Sequence, residues 1–193
     1  MTVGILAIQG DFGLHQKILD KLAVKHLAIR NNEELKKCDA LIIPGGESTT
    51  FIKLLKSNHL DKAIRKFGQK KAIMGTCAGL ILLSREVTHN SVETLNLIDI
   101  EVSRNAYGRQ IDSFIDQIEL TLNKNRIKFE GVFIRAPKIK KIGEGVHPLG
   151  YYLQDIIMAE NQNILVATFH PELTSDPRIH QYFLEKAKNL NKY

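Results

Sequence analysis

The sequence predicts an α/β fold: a three-layer sandwich with a mostly parallel central sheet, antiparallel edge strands and a nucleophile elbow. Three observations carry that expectation. Short apolar runs alternate with amphipathic stretches over residues 3–83, and strands buried on both faces need helices to cover them and crossovers to join them. Beyond about residue 98 the rhythm changes to strand-like segments joined by turns, as antiparallel additions at a sheet edge would give. Between the two halves an apolar strand runs through Gly75-Thr76-Cys77-Ala78-Gly79 straight into an apolar helix. That G-x-C-x-G spacing suits a sharp strand-to-helix turn, where a Cβ beside the cysteine would crowd the backbone.

Residues 3–8 form an unbroken apolar run that stops at Gln9-Gly10-Asp11, a strand followed by a turn. Leu14, Ile18 and Leu22 then recur every four residues with Lys17, Asp20 and Lys21 between them, the pattern of an amphipathic helix. A second strand is expected over residues 26–29 and a third over 40–43, the latter ending at Pro44-Gly45-Gly46. The next helix opens near Ser48-Thr49 with Phe51, Leu54 and Leu55 on one face, and residues 60–67 make another that leads to the elbow strand. In the second half, strands are expected over 118–122, 131–134, 156–159 and 164–169. The final helix takes Asp176 as N-cap with Pro177 at the first helical position, and buries Ile179, Phe183, Ala187 and Leu190.

A chain of 193 residues can bury about 70% of its unfolded surface without disulfides or metals, so one domain over 1–193 is the expectation. Apolar residues at 44% and charged residues at 25% are ordinary for a globular protein and leave no case for disorder. The net charge of +6 would permit a nucleic-acid partner, but the basic residues come in scattered pairs such as Lys36-Lys37, Lys70-Lys71 and Lys140-Lys141. With no basic stripe and no aromatic-interleaved motif, a solvated basic surface and no nucleic acid is the reading. The 2 cysteines are far apart and form no C-x-x-C, so neither a disulfide framework nor a metal site is expected. The first residues enter a strand at once and no apolar run approaches the ~18 residues of a membrane span. No membrane association and a reducing cytoplasm are therefore expected.

Active sites in such sheets lie beyond the carboxyl ends of the strands. Three such ends read together: Pro44-Gly45-Gly46-Glu47-Ser48, Gly75-Thr76-Cys77-Ala78-Gly79 and Phe169-His170-Pro171-Glu172. Cys77 sits where a helix begins, which favours its nucleophilic thiolate. His170 supplies the base, and Glu172, two residues on in extended backbone, reaches the other imidazole nitrogen to fix its orientation. The remaining histidines, His15, His26, His59, His89, His147 and His180, lack such a neighbour and are read as surface or structural, and Cys38 as a small buried hydrophobe. An oxyanion needs two N–H donors, and Ala78, following the nucleophile, with Gly46, on the loop after another strand, are the candidates.

With these residues in view, the chain resembles the triad-type, or class I, glutamine amidotransferases, and more closely the glutaminase subunits of pyridoxal 5'-phosphate synthases. The resemblance runs through Ala7-Ile8-Gln9-Gly10, Pro44 to Thr50, Gly75 to Leu83, Arg104-Asn105-Ala106-Tyr107-Gly108-Arg109-Gln110, Gly131 to Pro137 and Phe169 to Thr174. It implies Cys77 as nucleophile, His170 as base and Glu172 as orienting acid, with substrate contacts from Gly46, Glu47, Ser48, Arg104, Ile134 and Arg135. It also implies L-glutamine as substrate, no cofactor or metal, and ammonia handed to a separate barrel-shaped synthase subunit that builds pyridoxal 5'-phosphate. Gly13-Leu14-His15 departs from the Arg-Glu-His that relatives often carry, and residues 88–97 also diverge. The rival readings are a glutaminase of another pathway such as histidine biosynthesis, a cysteine peptidase or γ-glutamyl hydrolase on a related fold, and a binding module without activity.

Overall fold

The computed structural model describes residues 1–88, 92–104 and 113–191. Its first half alternates β1 (Val3–Leu6), α1 (Phe12–Lys21), β2 (His26–Ile29), α2 (Asn32–Lys36), β3 (Ala40–Ile43), α3 (Ser48–Ser57), α4 (Leu60–Gly68), β4 (Ala72–Thr76) and α5 (Ala78–Leu83). Strands then dominate: β5 (Ser84–Thr88), β6 (Ile98–Ser103), β7 (Ser113–Leu122), β8 (Asn125–Ile134), β9 (Lys138–Ile142), β10 (His147–Tyr152), β11 (Asp155–Glu160) and β12 (Ile164–Ala167). A 3₁₀ turn (Pro171–Leu173) and α6 (Arg178–Leu190) follow.

The sheet runs β2-β1-β3-β4-β12 through parallel pairs and continues to β11, β10, β7 and β8 through antiparallel ones. A second arm leaves at β11, which pairs with β9; β9 pairs with β6, and β6 runs parallel to β5. This is the mixed α/β sheet that the alternating first half and turn-rich second half predict.

Why the parallel strands read as unbroken apolar runs is visible in the core. Alternate residues of one strand enter two different cores because side chains point to opposite faces of a sheet. Leu41, Ile43, Ile73, Ile164 and Val166 join Phe51, Leu55, Ile64 and Leu82 from α3, α4 and α5. Val3, Ile5, Ala40, Ile42, Met74 and Leu165 join Leu19 of α1 and Ile179, Phe183 and Ala187 of α6 on the other face. Helix, sheet and helix thus form three layers.

The differences from expectation have local causes. The first strand stops at Leu6 rather than residue 8. Asp176 does accept the Arg178 N–H at 3.0 Å, but the helix starts after Pro177, one residue later than expected, and Leu190 is only half-buried. β7 and β8 are each 10 residues long, longer than 118–122 and 131–134, because they pair along their whole length, from Ser113 opposite Ile134 to Leu122 opposite Asn125. Their joining residues Asn123 (φ 50°) and Lys124 (φ 66°) both take the positive φ of a two-residue hairpin turn. β5, β6, β9, β10 and the short α2 are absent from the expectation: Lys138–Ile142 is half lysine-faced, and α2 is a single short turn capped by Asn31, which accepts the Glu34 N–H at 3.0 Å. His89 and Asn105 to Gln110 of the arginine-rich motif lie outside the described residues.

Candidate active site

β4 delivers Cys77 at the centre of the sheet. Its N–H donates to Ala167 O of the neighbouring β12 at 2.9 Å, tying the elbow to the strand whose continuation carries His170. Cys77 has φ 48° and ψ −103°, a conformation that costs a non-glycine residue of order 1–3 kcal/mol and is typical of functional sites. The crowding predicted around it is severe at Gly79, where a Cβ would lie 2.1 Å from Ile43 O. Cys77 is only 8% exposed, and Sγ lies 3.8 Å from Ile134 O. Cys38 is fully buried beneath β1, and burial pushes its thiol up to about 11, so it is inert as expected.

His170 is held by its N–H to Val132 O at 2.8 Å, and its Nδ1 lies 2.8 Å from Glu172 Oε1. Nε2 is left for Cys77. Burial alone would lower this imidazole, but hydrogen bonds to Cys77 and Glu172 raise it to about 10. Burial would raise the Glu172 carboxyl, and the adjoining His15 and His170 outweigh it and hold the carboxyl below its ordinary range. The route from His170 to Glu172 is not extended backbone: Pro171 opens a 3₁₀ turn, with the Leu173 N–H donating to His170 O at 3.2 Å. The turn brings the carboxylate under the ring over the same two-residue separation.

The sequence reading missed His15 and His180. Both are completely buried, on α1 and α6, and His15 lies against Glu172. A stripe at 15, 18, 19 and 22, rather than 14, 18 and 22, would have turned His15 inward, since Leu14 is only half-buried. His26 instead pairs with Asp20 at 2.8 Å, and His59 and His147 are exposed.

Above Cys77 opens a cleft of about 180 Å³ lined by Gly46, Glu47, Ser48, Arg104, Ile134 and Arg135 among others, so the expected contacts converge on one site. Its volume is below the ~300–1,000 Å³ of drug-sized ligand pockets and suits a single amino acid. A wider groove of about 520 Å³ among Lys70, Glu160, Tyr182 and Lys186 is lined by no cysteine, serine, threonine or histidine. Arg104 is paired with Glu47 at 2.9 Å across the cleft. Burial would raise the Glu47 carboxyl, but hydrogen bonds from Thr49 and Thr50 bring it down to about 2. Ser48 Oγ is buried with no hydrogen-bond partner among the described residues at the start of α3, where a ligand could satisfy it. Arg135 has φ 42° and is exposed, and beside it Ile134 O lies 3.8 Å from Cys77 Sγ.

The Gly45-Gly46 peptide is braced from behind. A Cβ on Gly10 (φ 84°) would lie 1.9 Å from Gly45 O, so that carbonyl presses against Gly10.

Comparison with known proteins matches residues 5–189 to the SNO glutamine amidotransferase family. Curated relatives include the pyridoxal 5'-phosphate synthase subunit PdxT of Thermosipho africanus, 48% identical over 97% of this chain and 100% of that protein. The protein of the same name from Solibacter usitatus is 46% identical over 95% and 98%. A crystal structure of a glutamine amidotransferase superposes with a TM-score of 0.91 at 41% identity, covering 96% of this chain and 98% of that one.

Proposed function

Because the chain belongs to the SNO glutamine amidotransferase family, we propose that it hydrolyses L-glutamine to L-glutamate and ammonia through a thioester on Cys77. It acts as one domain in the cytoplasm and passes the ammonia to a synthase subunit that makes pyridoxal 5'-phosphate, as the name of its PdxT relatives implies. No helix among the described residues is long and apolar enough to cross a membrane. The observation that carries the reading is the convergence of Cys77 and His170, the latter held 2.8 Å from Glu172, on the lining of one amino-acid-sized cleft.

The Cys77 thiolate, paired with the His170 imidazolium that holds its proton, attacks the side-chain amide carbon, and the oxyanion is received by the N–H groups of Ala78 and Gly46. His170, protonated at neutral pH, gives its proton to the amide nitrogen, the C–N bond breaks and ammonia leaves. The neutral imidazole then takes a proton from water as the water oxygen attacks the thioester. Collapse of the second tetrahedral intermediate expels Cys77 and releases glutamate. Glu172 compensates the imidazolium throughout.

The substrate's α-carboxylate falls to Arg104 and its α-ammonium to Glu47, with Ser48 completing the contacts. Arg104→Ala should therefore raise the KM for glutamine by about 10- to 100-fold with a small change in kcat, the loss of one charged hydrogen-bonded contact. Arg135→Ala should change KM by less than about threefold, since Arg135 is exposed. Equal effects of the two in steady-state kinetics would contradict this allotment.

The partner is tested by glutamate release with and without a pyridoxal 5'-phosphate synthase barrel subunit. A rise in kcat is expected on docking, and no rise with the synthase subunit of the histidine pathway. Cys77-dependent glutamate release that no such subunit alters would remove the partner and leave the glutaminase.

A further inference from the structure

We propose that His15 and His180 form a buried relay behind the triad, in which His180 fixes the tautomer of His15 and His15 donates its Nε2–H to the Glu172 oxygen that His170 leaves free. The proposal rests on the reading of Cys77, His170 and Glu172 as the catalytic triad. His15 Nδ1 lies 2.9 Å from His180 Nε2, and His15 Nε2 lies 3.5 Å from Glu172 Oε2, with all three residues buried. His170 occupies the other carboxylate oxygen, Oε1.

The proton positions follow from both ends of this chain. At one end, Glu172 Oε2 is buried with no hydrogen-bond partner among the described residues, and a hydrogen on His15 Nε2, 3.5 Å away, supplies the donor this carboxylate oxygen lacks. At the other, His180 Nδ1 is buried without a partner among the described residues. An orphaned N–H is rarer in folded proteins than an orphaned acceptor, so the His180 hydrogen belongs on Nε2, where it meets His15 Nδ1. The groups facing His15 are Glu172 and His170 from the 3₁₀ segment, His180 from α6, Asp11 at the start of α1, and Thr76 Oγ1 of β4 at 3.5 Å from Nε2. Burial lowers the basicity of His15 more than Glu172 raises it, which keeps the ring neutral.

A neutral donor is what the triad requires here. It holds the second oxygen of Glu172 and stops rotation of the carboxylate, yet leaves its negative charge to His170. A lysine or arginine in the same place would position the carboxylate equally well and cancel that charge. His15 is therefore a positioning residue.

The test compares His15→Leu and His15→Gln with the wild-type protein in complex with its synthase subunit. His15→Leu should lower kcat about tenfold with KM nearly unchanged, as losses of such outer contacts do. With one donor fewer Glu172 protonates more easily, so the acid limb of kcat should move up by about one pH unit. His15→Gln, whose amide N–H can reach the same oxygen, should recover most of both. Alkylation of Cys77 by iodoacetamide, which needs no glutamine, should show the same acid shift. In imidazole ¹H–¹⁵N spectra at pH 7, His15 and His180 should both appear as neutral Nε2–H tautomers. A folded His15→Leu with wild-type kcat and pH profile, or a protonated Nδ1 on either ring, would overturn the relay. If the wild-type protein releases no glutamate, the glutaminase reading fails, while alkylation and the spectra still decide the relay.

Discussion

Cys77→Ala is expected to remove glutamate release, with a loss on the order of 10⁴- to 10⁶-fold, because no other group near His170 can form the thioester. The fold should survive. Alanine fills less space than cysteine at an elbow walled by Ile43 O and Gly79, and the positive φ at 77 strains it no more than it strains the native residue. Cys38→Ala should keep most of the activity, since that thiol is buried beneath β1 and poorly ionisable. A glutaminase assay on both variants, with mass spectrometry of the protein treated with a glutamine-like electrophile, decides the matter. Adduct on Cys38, or turnover retained in Cys77→Ala, would displace the nucleophile.

Mild acid should weaken the fold steeply. His180 is fully buried, and burial first, then its neighbour His15, lowers it to about 3 from an ordinary 6.5. Its unfolded form takes up a proton below pH 6.5 and its folded form does not, so this contribution to stability is complete above 6.5 and is lost as pH falls towards 3. The slope is about 1.4 kcal/mol per pH unit for one such group. His15, shifted in the same direction, adds to it, and so does Glu172, whose lowered carboxyl stabilises the fold above its unfolded value. Against a total stability of about 5–15 kcal/mol, a loss on that slope over a few pH units is a large fraction of the whole. His170 works with opposite sign: raised to about 10, it stabilises fully below 6.5 and loses that contribution as pH rises through 10. Urea midpoints should therefore peak near pH 6.5, and His180→Phe should flatten the acid side. Midpoints unchanged between pH 7 and 4.5 would contradict the buried neutral histidines.

The grouping of Cys77, His170 and Glu172 was legible because each sits in a short local pattern at a strand end: glycines around Cys77, and His170 two residues from Glu172. The parallel strands were legible for a related reason, since burial on both faces leaves an apolar run such as Ala40 to Ile43 with no polar interruption. What failed were features made by partners remote in the chain. His15 and His180 are 165 residues apart and look like unremarkable helix residues until α1 and α6 pack beside the 3₁₀ turn. β9 and β10 carry mixed polar sequence because they are half-exposed, and only pairing with β11 and its neighbours makes them strands.

The contact of Gly10 with the Gly45 carbonyl has a bearing on how this site can vary. Gly10 is bounded by the backbone of the β3 loop, Gly45 by the ring of His170, and Gly79 of the elbow helix by Ile43 O at the end of β3. Four segments remote in sequence are thus interlocked, three of them at atoms that no choice of side chain can remove. Such segments cannot diverge one at a time. A lineage, or an engineer grafting loops to change the substrate, must move them as a set, whereas the charged lining at Glu47 and Arg104 can be exchanged residue by residue.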